Sequence, residues 1–246
     1  MESINNWEKI KEERSQLPET EWIILCRTLY TGWENFLADK LRLREEQSLV
    51  LEILVALATP RAEEVLLRCL EDREEAMELA AAEALKKMAP ERLLGPWAGV
   101  MARQGQGAAK AGEVLASMGA KGLDQLWRLW FEEGASEGLK AQVLLLLAEQ
   151  GDPRCENLAF LALLSQDEEL VRAGLKTAQM WEFRDLWGNV ACCLSSESWW
   201  VRAKACETLA ELGVKEALPA LEEAGPDPDA WVEDERRQAI GKLSEK

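Results

Sequence analysis

The side chains able to carry chemistry are unevenly supplied. The 246-residue chain holds 45 Asp and Glu, 29 Lys and Arg and six cysteines, but no histidine. Without imidazole, the commonest metal ligand and the usual acid–base group near neutral pH are missing. Neither a Ser-His-Asp triad nor a Cys-His pair can form within the chain. Zinc would have to be held by thiolates and carboxylates, yet Cys26, Cys69, Cys155, Cys192, Cys193 and Cys206 form no CxxC pair. Cys192 and Cys193, adjacent on a predicted helix, point in different directions. They read as small packing residues, with a reactive thiol as the alternative. Gly107 and Gly112 have the spacing of a phosphate-binding loop, but Glu113 and Val114 stand where Lys and Ser or Thr belong. With Gly105 they read instead as places where neighbouring helices approach closely. No catalytic motif stands out, so the chain is expected not to be an enzyme and to need no cofactor or metal.

The elements that would position any site come from a repeat. Val201, Ala205, Leu209 and Leu212 keep steps of 4, 4 and 3 and so share one face of a helix, which Gly213 ends. The same pattern recurs before Thr59, Ala89, Gly119, Gly151, Phe183 and Gly213 and near position 244, at steps of 30, 30, 32, 32, 30 and 31 residues. In the fifth copy the stripe is set on Val171 and Leu175; in the last, on Val232, Ile240 and Leu243. Ser136, Ser198 and Asp229 each precede the first apolar position by three residues, where an N-cap belongs, and Asp167 and Glu168 fill that place ahead of Val171. A second set of shorter helices alternates with the first, for example 123–131 and 217–223. The unit is therefore helix, turn, helix, and such units must stack to bury their stripes. Near the start, Ile4, Trp7 and Ile10 share a face. Pro18 suits the first turn of a second helix, and if that helix ends near Leu29 it adds an eighth unit.

The stretch Trp200-Val201-Arg202-Ala203, with Leu212-Gly213 and Ala217-Leu218-Pro219-Ala220-Leu221, resembles the short HEAT-like repeat named after phycobilin lyase subunits. Asp227-Pro228-Asp229-Ala230-Trp231-Val232 repeats its turn and helix start. The resemblance is close over 195–243 and fair over 62–151. It implies an all-α fold, a right-handed α-α superhelix of the HEAT-like or armadillo type. The expected organisation is one domain over 1–246, with 1–45 as an N-terminal cap or degenerate repeat and 225–246 as a capping repeat. The family consists mostly of interaction scaffolds. Its name also raises a bilin-lyase-like enzyme subunit, and the architecture a DNA-repair glycosylase.

Composition bears on partners. The formal net charge is −16 and the acid is spread along the chain, so no block reads as a basic nucleic-acid face. No apolar run approaches the roughly eighteen residues of a membrane span, and the charged start, MESINNWEKI, does not read as a signal peptide, so none is expected. A cytoplasmic protein with reduced thiols is expected, with a protein or peptide as partner and neither nucleic acid nor membrane. The expected working surface is the concave face lined by the first set of helices. Its candidate contact residues are Lys140, Gln142, Arg172, Lys176, Arg202, Lys204, Glu207 and Glu211. Arg172 and Arg202, each following an equivalent valine, read as ion-paired to a neighbouring repeat or as ligand contacts. Among eleven tryptophans, Trp200 and Trp231 occupy equivalent places and read as packing residues. Trp199, matched by Ala230 in the next copy, is the candidate for an exposed anchor.

Overall fold

The computed structural model describes residues 7–43, 46–70, 75–88, 94–105 and 107–244. Ile4, Ala89 and the side chain of Trp7 lie outside the described residues. Among those described the fold is all-α, with sixteen α-helices, short 3-10 turns and no strand. It divides into two compact units, Met1–Gly122 and Leu123–Lys246.

In the first unit, α1 (Trp7–Gln16) precedes α2 (Glu19–Leu29), α3 (Glu34–Arg42), α4 (Gln47–Leu57), α5 (Pro60–Cys69), α6 (Glu75–Lys87), α7 (Leu94–Ala102) and α8 (Ala108–Ser117). Two layers form: α2, α4, α6 and α8 pack in succession, and α3, α5 and α7 do the same beside them. α2 is thus a full member of the first layer. Its Trp22 and Cys26 are buried, and Arg27 Nε donates to the Ala56 carbonyl at 3.0 Å. Pro18 sits at the N-cap of α2, one place ahead of the first turn. Thr59 ties the layers together, its hydroxyl accepting from Ala62 N at 3.1 Å and donating to the buried Glu34 at 2.9 Å. Gly107 caps α8, while Gly105 lies in the turn before it. A Cβ on Gly107 would strike the Leu70 backbone, so close approach is the reason for that glycine.

In the second unit α9 (Ala120–Trp130, entered from the first), α11 (Cys155–Leu163), α13 (Trp187–Cys192) and α15 (Leu218–Glu223) alternate with α10 (Glu137–Glu149), α12 (Glu168–Met180), α14 (Trp199–Leu212) and α16 (Ala230–Ser244). The longer helices α10, α12, α14 and α16 pack one on the next. Val201, Ala205, Leu209 and Leu212 are all buried, as their spacing requires.

The ends of these helices show the repeat at its most regular. Ser136, Asp167, Ser198 and Asp229 stand at the N-caps, 31 residues apart. The Ser136 hydroxyl accepts from Leu139 N at 3.1 Å, Asp167 from Leu170 N at 2.9 Å and Asp229 from Trp231 N at 2.9 Å; Ser198 makes no such side-chain bond. Left-handed residues end α10, α12 and α14 at Gly151, Glu182 and Gly213, again 31 apart. In α12 the stop is therefore Glu182, one residue before the Phe183 expected from the sequence. Phe183 N donates to the Ala178 carbonyl at 2.9 Å across this left-handed residue, closing the last turn. The register corrects two expectations. Leu170 leads the α12 stripe, and Arg172 corresponds to Ala203, so Arg172 and Arg202 are not equivalent. In the last repeat Ile240 is only half-buried, while Val232, Ala239 and Leu243 are buried. Arg236, 31 residues after the buried Ala205, turns its guanidinium to the Leu221 carbonyl at 3.0 Å and to Glu233.

Candidate partner-binding surface

The face of α12, α14 and α16 away from the apolar stripe is a polar strip. Helical spacing places Arg172, Lys176 and Gln179 in line on α12, and Trp200, Lys204, Glu207 and Glu211 in line on α14. The two rows meet. The Arg172 guanidinium lies 5.7 Å from the Trp200 ring centroid. Gln179 Nε2 donates to Glu207 at 3.4 Å and also to Glu211. Within α14, Lys204 and Glu207 pair at 2.6 Å. On α16, partial burial and then the nearby Glu207 raise the Glu235 carboxyl above its ordinary range, with Lys204 opposing. Arg172, Lys176 and Glu211 are exposed, and Lys176 has no ion-pair partner among the described residues. On α10, Lys140 and Gln142 are half-buried, and Lys140 is paired to Glu137 at 2.7 Å.

Arg202 belongs to a different arrangement. Its Nε and Nη2 bond the two Asp227 oxygens at 2.7 and 3.0 Å, and Nη1 donates to the carbonyls of Ser196 and Glu197. Both side chains are largely buried, and the Arg202 guanidinium holds the Asp227 carboxyl below the usual range. Asp227 N in turn donates to Glu233 at 3.1 Å, and Arg236 and Arg237 also bond Glu233. Those bonds bring the Glu233 carboxyl down to about 2, led by Arg236. The network fastens the start of α16 to α14, and it has taken up Arg202's donors.

Trp199 is exposed, as is Trp231 at 64%, whereas Trp200 is half-buried. Trp231 therefore departs from the packing role its equivalence to Trp200 suggested. Trp200 has Arg172 over its ring; Arg202 is turned to Asp227. Trp199 lines an open groove of about 890 Å³ between the starts of α12 and α14. Cys192 shares that groove, as do Leu164, Ser196 and Glu197, which were not singled out in the sequence. The cluster Ser195-Ser196-Ser198 before Trp199 was the one local hint. A second groove, about 660 Å³, lies in the first unit against α2, α4 and α6, where Arg14 bonds Glu52 at 2.6 Å.

The thiols are mostly withdrawn. Burial pushes Cys26 and Cys206 up to about 12 and Cys155 and Cys193 to about 11. Cys192 alone is exposed. No group of three or more Cys, Asp or Glu able to hold a metal occurs among the described residues, and no helix among them is long and apolar enough to cross a membrane.

No family model and no curated protein matches the sequence. Solved structures do. Human deoxyhypusine hydroxylase in complex with glycerol is 16% identical, with 94% of this chain and 92% of that chain covered and a TM-score of 0.43. An engineered protein solved by a structural-genomics consortium is also 16% identical, with 94% and 93% covered and a TM-score of 0.40. The expectation that the chain is not an enzyme is corrected by the first of these. That protein is named as a hydroxylase.

Proposed function

We propose that the chain is a HEAT-like repeat module that binds a protein or peptide partner on the polar strip of α12, α14 and α16. The observation that supports this is the separation of roles on α14. Val201, Ala205, Leu209 and Leu212 are buried, while Lys204, Glu207 and Glu211 lie on the opposite side. The fold does not draw its core from the strip, and mixed charge there suits a protein surface. Arg172, Lys176 and Glu211 are the exposed contacts; Lys204, Glu207 and Gln179 hold the strip in shape.

The test is a charge reversal, Lys204→Glu with Glu207→Lys, which can re-form the i,i+3 pair in the opposite sense. Cross-linking with mass spectrometry on the full chain identifies the partner, and binding to that purified partner is then compared between the two forms. The reading predicts an unchanged melting temperature and weakened binding. Unaffected binding, together with its loss on changing Glu222 and Glu223 of α15, would place the working surface on the other layer.

A further inference from the structure

We infer that the groove between the starts of α12 and α14 docks a basic peptide segment anchored by an apolar side chain, an inference that rests on the partner-binding reading above. The groove has the size of a ligand site, about 890 Å³. Its rim offers apolar surface that the fold leaves in water: Trp199 is 49% exposed and Leu164 is 56% exposed. Tryptophan is the residue most able to anchor a partner, because it buries a large rigid surface and keeps an N–H to donate.

Charge decides the class of occupant. The lining contains Glu168 and Glu197, both exposed, and no lysine or arginine. Two helices begin at the groove, and a bare helix start would favour an anion. Here Asp167 caps α12 and Glu168 and Glu169 occupy its first turn, while Glu197 stands just ahead of α14. Arg202, whose Nη1 bonds the carbonyls of Ser196 and Glu197, is matched by both oxygens of Asp227. The local field is negative, so a phosphate or an acidic peptide is repelled, and a lysine or arginine beside an aliphatic or aromatic residue is drawn in. The hydroxyls of Ser165 and Ser196 already accept from the backbone of Asp167 and Ser198 at 3.0 and 3.3 Å. Their own protons remain available to peptide carbonyls.

The test pans a phage-displayed random-peptide library on the immobilised full chain, in parallel as wild type, Trp199→Ala and the double variant Glu168→Lys, Glu197→Lys. Circular dichroism establishes that the variants are folded. Peptides enriched on the wild type should pair a basic with an apolar residue. As synthetic peptides they should bind Trp199→Ala about tenfold or more weakly, with Trp199→Phe close to wild type. On the double variant acidic sequences should replace basic ones. An acidic consensus on the wild type, no enrichment, or affinity that survives both groove variants overturns the proposal. Peptides that survive both but are lost on the Lys204→Glu, Glu207→Lys variant overturn the groove while keeping the strip. Failure of the strip itself is read separately, from the cross-linked partner.

Discussion

At the scale of single residues the molecule separates packing from pairing. Leu209 is fully buried between repeats. Leu209→Ala should cost about 2–5 kcal/mol, the lost transfer energy plus the cavity left behind. Chemical denaturation checks this, and a loss under about 1 kcal/mol would mean that the site collapses without cost. Glu233 is the opposite case, a carboxylate that stabilises through its charge. Its carboxyl lies near 2 in the fold against 4.5 ordinarily, chiefly because of Arg236. It therefore binds a proton less readily folded than unfolded. The stability it adds is complete above about 4.5 and is lost as the pH falls towards about 2. Asp227, lowered by Arg202, adds to the same acid limb. Glu233→Gln should lower the melting temperature at neutral pH and flatten its fall between those values. Scanning calorimetry across the range measures both, and parallel curves for the two forms would exclude this role.

Among elements, α12 shows how a repeat tolerates a poor local sequence. Its neighbours α10 and α14 end on Gly151 and Gly213 with positive φ, but α12 ends on Glu182 at φ 50°. A side chain there is strained by about 1 kcal/mol or more relative to a comfortable conformation. The surrounding contacts enforce the turn anyway: Phe183 N bonds the Ala178 carbonyl, and Trp181 Nε1 donates to the Ala148 carbonyl at 3.1 Å. Glu182→Gly should raise stability by about 0.5–1 kcal/mol, the relieved strain less the added freedom of the unfolded chain. A melting temperature equal to or below that of the parent would show that the turn is not strained.

Within each unit, a helix of the long layer packs on its neighbours in that layer and on the adjacent shorter helices. Repeats so built share stability with their neighbours and little with distant copies. Hydrogen exchange on the Leu209→Ala variant should show faster exchange in α12, α14 and α16, with α4 in the first unit unchanged. Uniform acceleration throughout would show that the chain unfolds as a single cooperative body.

The sequence by itself determined the all-helical class, the thirty-odd-residue period, the buried stripe of α14 and three of the caps. Each of these is a local matter of helical spacing and of which residues satisfy or permit a helix end. Tertiary structure decided the rest, because it depends on partners far away in the chain. A glutamate can take the left-handed stop of α12 only because neighbouring helices hold it there, so the register of that repeat could not be read from its residues. Arg202 and Arg172 look alike in sequence, yet one meets Asp227, 25 residues on, and the other lies over Trp200. The groove beside Trp199 arises where the loops of two successive repeats come together, and no single stretch of sequence contains it.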